Sequence, residues 1–232
     1  MIYKIIIPAR ANSKRLPGKN MKLLLGKPLI EYSIDFAINN FPKDSVWVNS
    51  DCKDIIEFSK LKGTKTLLRP SKLASDSSAI VDALMFHVNY FKEHNIACDA
   101  IILFQPTNPF RESDLLKKVI EKFENSKRNS LATFSISKKK LGKIEDGVFK
   151  PVNYVPGQRS QDLENNYFEN GLVYITKCDS ILSGKVITDD VYPFICNNIE
   201  STIDIDYLED FLLAEALLNF KNEQKKLSNN RG

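Results

Sequence analysis

The sequence predicts an α/β fold in which helices cover both faces of a mostly parallel sheet. Short apolar runs, each long enough for one strand, alternate with amphipathic stretches along most of the chain. Such alternation favours parallel strands joined by helical crossovers. A length of 232 residues with 43% hydrophobic residues fits one globular domain with a sizeable core. We therefore expect ligands beyond the carboxyl ends of the strands, near the point where the strand order switches.

The elements follow from the spacing of apolar residues. Continuous apolar runs predict strands over residues 2–7, 46–48, 66–68, 100–104, 131–136 and 171–175. Apolar residues three and four apart predict helices over residues 28–38, 55–61, 80–91, 114–123 and 207–220. Pro28 suits the first turn of its helix, where a missing N–H is tolerated. The loops after residues 7, 48 and 104 are thus the places to look for chemistry.

The segment 138–168 interrupts this alternation. It contains several turn-forming residues and isolated aromatic side chains, and it is too long for a plain connection in a compact domain. We expect it to be either an arm that packs on a second subunit or a lid over the substrate. The predicted organisation is therefore one domain over residues 1–232, with an inserted arm over residues 138–168.

Composition and charge exclude several classes of protein. The net charge is +4, from 33 basic and 29 acidic residues, and no basic stripe with interleaved aromatics is present, which argues against nucleic-acid binding. Four cysteines without a CxxC pair predict reduced thiols in a cytoplasmic protein, and only two histidines accompany them, so a zinc site is not expected. The apolar start ends at Pro8, too early for a signal sequence or membrane span.

A basic loop follows the first predicted strand. Arg10, Lys14 and Arg15 lie within six positions, and Lys19 follows. Backbone amides and fixed cations are what a triphosphate needs. The loop lacks the GxxxxGK[ST] and GxGxxG patterns, so an exposed basic loop is the alternative. Its place at the carboxyl end of a strand favours phosphate binding.

An acidic stretch lies near the carboxyl end of the chain. Asp204 and Asp206 alternate in a strand-like run, which puts their side chains on one side. Two adjacent carboxylates suit Mg²⁺, which takes one or two carboxylates and fills its shell with phosphate oxygens and water. The alternative is a helix cap, with Asp206 before Tyr207 and Glu209 at a capping-box position. The two roles are compatible.

Three further polar segments carry candidate binding residues. Arg69 precedes a Ser-rich stretch over residues 73–78, and residues 105–111 form a rigid polar turn after an apolar run. Residues 159–162 lead to the stretch 167–171. Taken singly, these segments also fit a helix cap, an ordinary turn and a surface arginine. A bidentate clamp on a carboxylate is the functional alternative for Arg159.

Together, the five segments resemble the acylneuraminate cytidylyltransferases, the CMP-sialic acid synthetases, over about residues 5–217. The similar motifs are PAR.NSK.LPGKN at residues 8–20, LRP..LASD at 68–76, QPT.PFR at 105–111, NG..Y at 170–174 and DID at 204–206. The resemblance implies a nucleotidyltransferase, Rossmann-like three-layer fold, a Mg²⁺ cofactor and a homodimer in which an arm from each subunit reaches toward the other's active site. It also implies transfer of CMP from CTP to an acidic nine-carbon sugar.

The resemblance also implies residue roles. The triphosphate would be held by Arg10, Lys14, Lys19 and Asn20. The cytosine and ribose would be surrounded by Arg69 and the loop from Ser75 to Ser78. The sugar would be faced by Gln105, Asn170 and Tyr174, and Mg²⁺ would be held by Asp204 and Asp206. Further candidate substrate-binding residues are Asn12, Ser13, Thr107, Arg159 and Gln161.

Rival functions remain open. A Kdo cytidylyltransferase would share the fold and the early loop, although the motifs at residues 170–174 and 201–206 argue against it. A glycosyltransferase using a nucleotide sugar would show its DxD motif after a mid-chain strand, whereas the acidic pair here lies near the carboxyl end. A catalytically dead binding protein would not need both the basic loop and the acidic pair. The sequence leaves open which nonulosonic acid is the acceptor.

Overall fold

The predicted alternation of strands and helices is present in the computed structural model of the protein, which describes residues 1–11, 13–74 and 78–229. The strands are β1 (Tyr3–Pro8), β2 (Leu23–Leu24), β3 (Lys27–Pro28), β4 (Val46–Ser50), β5 (Lys65–Leu68), β6 (Ala100–Leu103), β7 (Ser130–Ser137), β8 (Gly142–Glu145), β9 (Val148–Pro151), β10 (Asn166–Lys177) and β11 (Tyr192–Ile195). The helices are α1 (Leu29–Asn40), α2 (Lys53–Leu61), α3 (Ile80–Glu93), α4 (Leu115–Ser126), α5 (Cys178–Leu182) and α6 (Leu208–Asn229).

Seven strands form the central sheet, in the order β11-β7-β10-β6-β1-β4-β5. The strand β1 runs parallel to both neighbours, with Ile6 opposite Trp47 of β4 and Leu103 of β6. Only β10 is antiparallel to its neighbours β6 and β7. The chain passes from β1 through β4 to β5 on one side and then places β6 on the other. The strand order therefore switches between β1 and β6, where a crevice for ligands is expected.

Helices cover both faces of this sheet because side chains alternate along each strand. Ile5 and Ile7 of β1 face one core with α1, α2 and α4, whereas Ile6 faces the other core with α3 and α5. A third cluster joins α6 to the first loop through Leu16 and Phe211. This arrangement confirms the predicted three-layer fold. Within the described ranges, no helix combines the length and apolar character needed to cross a membrane.

Several elements were not predicted. The strand β11 and the short helix α5 lack a strong apolar period, and α6 continues beyond the predicted end at residue 220. The strand β10 is longer than the predicted run 171–175, and its pairing with β7 changes register between Glu169 and Tyr174. This irregularity lies beside the switch between β1 and β6, so it matters for the site.

The arm contains a β-hairpin, which the sequence analysis did not assign. The strands β8 and β9 pair directly across Asp146 and Gly147, both of which have positive φ. Two such residues form the type I′ turn that hairpins prefer, and the Asp-Gly pair was the sequence signal for it. Ile144 is 77% exposed and Val155 70% exposed. Packing of the arm on a second subunit stays a prediction.

Candidate active site

A cavity of about 530 Å³ lies beyond the carboxyl ends of β1 and β6, at the switch in strand order. It brings together the basic loop, the polar turn after β6 and the acidic stretch, which are far apart in the sequence. We call it the main cavity. Its lining residues are Pro8, Arg10, Ser13, Lys14, Arg15, Lys19, Asn20, Ile80, Gln105, Pro106, Thr107, Asp204 and Asp206.

The basic loop is fixed at its far end by a tight turn. Gly18 has a φ of 66°, a conformation that costs a glycine nothing, and it begins a short 3₁₀ helix. Lys19 is buried, and its Nζ donates to the Ile205 carbonyl at 2.6 Å and to the Asp206 carboxylate at 2.9 Å. Asn20 donates from its amide to the Arg10 carbonyl at 2.9 Å. The loop is thereby tied to the acidic stretch and its cations line the cavity.

The two aspartates of the acidic stretch have different electrostatic environments. Ile203 and Ile205 are buried beside α6, and the alternating Asp204 and Asp206 line the cavity. Burial raises the pKa of Asp204, and the nearby Asp206 adds to this effect. The pKa of Asp206 is lowered: partial burial opposes the shift, but Lys19 and Arg15 outweigh it. Asp206 is thus a compensated anion, whereas Asp204 forms no ion pair of comparable closeness with any residue that the structure describes.

The alternative reading of Asp206 as a helix cap is wrong. The helix α6 begins at Leu208, and Asp210 in its first turn supplies an acceptor for the backbone that precedes the helix. Its Oδ2 accepts hydrogen bonds from the backbone N–H of Asp206 at 2.9 Å and of Tyr207 at 2.8 Å. The capping carboxylate therefore comes one residue after Glu209, and the side chain of Asp206 remains directed to the cavity.

The donor set at this end of the cavity fits Mg²⁺ in a nucleotide complex. Among the described residues, no group of three or more histidine, cysteine or carboxylate side chains could hold a metal alone. Mg²⁺ needs fewer protein ligands, since phosphate oxygens and water complete its octahedron. Asp204 and Asp206 line the cavity together, and a cation placed there would offset the repulsion that Asp206 exerts on the Asp204 carboxylate.

A second cavity of about 270 Å³ adjoins the first and shares Pro8, Arg10 and Ile80 with it. Arg69 lies in its wall, 7% exposed, and burial lowers its pKa. Its Nη2 is 4.0 Å from the Asp51 carboxylate. Ser78 also lines this cavity, and a contact of its loop with cytosine or ribose stays a prediction. Ser75 and Asn12, also predicted to bind substrate, lie outside the described residues.

The polar turn after β6 is anchored by Arg111, which sequence reasoning named only as part of a motif. Arg111 donates to the carbonyls of Leu172 at 2.8 Å and Gln105 at 2.9 Å, and to Ser33 Oγ at 3.0 Å. Its guanidinium lies 4.7 Å from the ring centre of Phe104. Desolvation lowers the pKa of Arg111 to about 9, so it stays charged at neutral pH. It acts as a fixed cross-link under the turn.

Two residues expected to face the sugar lie outside both cavities. Asn170 is 2% exposed, and its amide is satisfied by Thr133 Oγ1 at 2.6 Å and Ser135 Oγ at 3.0 Å. Tyr174 is buried and donates to Glu169 at 3.2 Å. Both side chains are buried and hydrogen-bonded within the protein, and neither residue lines either cavity.

The predicted carboxylate clamp, Arg159, pairs with a carboxylate of the arm itself. Arg159 is exposed and forms a two-point ion pair with Asp162, at 2.6 and 3.1 Å. Gln161 is exposed in the adjoining 3₁₀ helix. Neither residue lines either cavity of this chain. Any contact of Arg159 or Gln161 with substrate therefore stays a prediction.

Comparison with known proteins agrees with this geometry. A family model described as Cytidylyltransferase matches residues 4–231. A CMP-N,N'-diacetyllegionaminic acid synthase of Legionella pneumophila is 31% identical over 226 residues, covering 94% of this chain and 97% of that protein. An N-acylneuraminate cytidylyltransferase of Streptococcus agalactiae is 29% identical over 215 residues, and the match covers 89% of this chain but 51% of that longer protein. A solved CMP:2-keto-3-deoxy-manno-octonic acid synthetase complexed with CTP has a TM-score of 0.70 at 17% identity, covering 95% of this chain and all of that one.

Proposed function

Because the chain belongs to the cytidylyltransferase family, we propose that it transfers CMP from CTP to the anomeric hydroxyl of an acidic 2-keto-3-deoxy nonulosonic sugar and releases pyrophosphate. The acceptor is of the sialic, legionaminic or pseudaminic acid type, the class to which the names of the relatives point. The observation that carries the proposal is the main cavity, where cations of the basic loop face Asp204 and Asp206 at the sheet's switch point.

The two adjoining cavities divide the nucleotide between them. The second cavity, with Arg69 in its wall, receives the base and ribose. The main cavity receives the triphosphate, because Arg10, Lys14 and Lys19 line it and each phosphate adds charge to be neutralised. Arg10 belongs to both cavities and so lies where the ribose meets the α-phosphate.

The reaction is an in-line displacement at phosphorus. The anomeric oxygen forms a bond to the α-phosphorus, the bond from that phosphorus to the bridging oxygen breaks, and the hydroxyl proton is released. Lys14 and Lys19 stabilise the charge that accumulates on pyrophosphate, and fixed donors of this kind act without reorganising during the reaction. A Mg²⁺ held by Asp204 and Asp206 would supply electrophilic polarisation of the phosphate oxygens. The protein's remaining contribution is orientation of the two substrates.

A homodimer and a cytoplasmic location complete the proposal. The arm projects exposed apolar residues, including Ile144, Val148 and Phe149. A separate cavity of about 570 Å³ lies beside α6 and the base of the arm, lined by Ile136, Phe168 and Leu213 among others. Apolar surface on an arm and an apolar groove beside its base suit exchange of arms between two copies. Sedimentation of the protein with Ile144→Lys would test this, with a shift from dimer to monomer expected.

Pyrophosphate release tests the reaction. The assay contains CTP, Mg²⁺ and, one at a time, N-acetylneuraminate, legionaminate, pseudaminate derivatives and Kdo, with a metal-chelated sample as control. We expect release with one nine-carbon acid and none after chelation. Release with Kdo alone would assign the chain to the alternative reaction. Silence with every acid, together with a measurable CTP affinity, would indicate a binding protein.

A further inference from the structure

The Asn170-Gly171 pair lies at the register change of β10, directly behind the polar turn of the main cavity. Gly171 has a φ of 73°, which an L-residue adopts only with strain. A Cβ placed on Gly171 would lie 2.8 Å from Oε1 of Gln105, closer than atoms of this kind approach. A side chain at position 171 would therefore strain the backbone and push the Gln105 amide, the movable end of a flexible side chain, out of its present position.

Gln105 is held firmly at its other end. Its carbonyl accepts hydrogen bonds from Arg111 Nη2 at 2.9 Å and from the Asn108 backbone N–H at 3.3 Å. Asn108 is fully buried and donates its amide to the Asn170 carbonyl at 2.5 Å. Both the backbone of Gln105 and the position of Gly171 are thus fixed by one connected set of hydrogen bonds. Only the Gln105 side chain of this set lines the cavity.

The chemistry of the Gln105 side chain suits binding of the acceptor sugar better than binding of the nucleotide. A primary amide offers neutral donors and an acceptor, which match hydroxyl and carboxylate groups of a sugar acid. The triphosphate's charge is matched elsewhere, by the cations of the basic loop. Gln105 follows β6, whereas those cations follow β1, so the two groups come from different strands of the switch point.

We propose that Gly171 is a positioning residue that sets how far the Gln105 amide reaches toward the acceptor sugar. Arg111 anchors the backbone of Gln105, and the side-chain amide of Gln105 packs against Gly171. This inference depends on the proposed function, because it assumes that an acidic sugar enters the main cavity. It assigns the Asn-Gly pair a supporting role rather than a direct contact with substrate.

The test compares Gly171→Ala with a matched glycine. Gly184 also has a positive φ, 84°, but a Cβ there would meet nothing within 4 Å, so Gly184→Ala introduces the same kind of backbone strain without touching Gln105. We expect Gly171→Ala to raise the acceptor KM about tenfold, the effect of roughly one hydrogen bond. CTP affinity, measured by calorimetry without acceptor, should stay within about twofold. Gly184→Ala should leave both values unchanged.

Variants of Gln105 keep the inference testable even if Gly171→Ala folds poorly. Gln105→Asn retains the amide but shortens the side chain, so the amide no longer packs against Gly171. We expect it to raise the acceptor KM as much as Gln105→Ala does, and Gly171→Ala should add little to Gln105→Ala. A wild-type acceptor KM in Gly171→Ala or Gln105→Asn would overturn the inference. Lack of turnover by the wild-type protein with every acid would instead contradict the proposed function.

Discussion

Two sides of the main cavity use their polar residues in different ways. The first side is the basic loop with the acidic stretch, and the second is the polar turn with the strand β10 behind it. On the first side, Lys19 and Asp206 pair with each other and both line the main cavity. On the second side, Arg111 and Asn170 donate hydrogen bonds to carbonyl and hydroxyl groups of the protein. The first side presents charged groups to the cavity, whereas on the second side Arg111 and Asn170 hold in place the turn that carries Gln105.

This difference separates two kinds of functional motif. Charged groups facing a cavity should affect turnover far more than stability, because they meet the charge that develops in the reaction. Polar groups directed into the wall should affect stability, and turnover only through the residue they support. Substitutions on each side can therefore break or sharpen the distinction.

The largest effect is expected at Asp206. Asp206→Asn keeps the shape and removes the charge that faces Lys19 and Arg15, so we expect turnover to fall at least about 100-fold. The free energy of unfolding should stay close to the wild-type value, because Lys19 keeps its hydrogen bond to the Ile205 carbonyl. Pyrophosphate release and urea unfolding measure the two quantities. Asp189→Asn, which breaks the surface pair with Lys185, is the control. Wild-type turnover in Asp206→Asn would remove this residue from the site.

Sequence reasoning could predict the first side because its signals are local. The apolar run of β1 ends at Pro8, and the cations follow within a few residues, so the position of the loop follows from the pattern. The pairing of Lys19 with Asp206 spans 187 residues and needed the fold to show it. The prediction that Asp206 caps the last helix was wrong for a local reason. The helix α6 begins at Leu208, so Asp210 reaches the free N–H groups and Asp206 does not.

The second side could not be predicted from the sequence, although its residues were singled out. Whether Asn170 faces a cavity depends on Thr133 and Ser135 in β7, and nothing in the Asn-Gly pair identifies those partners. Arg111 resembles many surface arginines until Leu172 and Gln105 are placed beside it. Long-range partners decide both roles, and no local pattern encodes them.

The next effect in size concerns stability at Arg111. Arg111→Met removes three donors and leaves Leu172 O, Gln105 O and Ser33 Oγ without them. We expect the free energy of unfolding to fall by about 3 kcal/mol, at roughly 1 kcal/mol for each lost partner. Chemical denaturation checks this value against Arg128→Met, an exposed arginine at the end of α4. A loss no larger than that of the control would show that the turn does not depend on its anchor.

Buried titratable groups of this protein differ in whether they carry a charge at neutral pH. Arg111 stays protonated at neutral pH, whereas burial lowers the pKa of His87 to about 3, with Arg69 adding to the shift. His87 is 0% exposed and packs against Trp47 and Phe91. The unfolded histidine binds a proton below about pH 6.5, but the folded one does not, so stability falls as the pH drops through this window toward 3.

At pH 5 this loss amounts to about 2 kcal/mol relative to pH 7.5, since 1.5 pH units separate pH 5 from the unfolded pKa. Wild-type protein and His87→Phe are compared by urea unfolding at the two pH values. The variant should lose about 2 kcal/mol less, because carboxylates contribute equally to both proteins. His94→Gln, at the exposed end of α3, should behave as the wild type. Equal losses in all three proteins would mean that His87 takes up a proton when folded.

The smallest effect is expected at the start of α6, where a structural group holds a residue that lines the cavity. Asp210 accepts from the N–H groups of Asp206 and Tyr207, so it is a structural group that holds a cavity residue. Asp210→Ala should lower the free energy of unfolding by about 1 kcal/mol, the usual cost of a lost cap. Because the Asp206 backbone is released, turnover should also fall, but by less than in Asp206→Asn. Glu209→Ala, its exposed neighbour, is the control. Reduced stability with unchanged turnover would show that Lys19 and Arg15 suffice to position Asp206, and it would sharpen the boundary between groups that face the cavity and groups that support them.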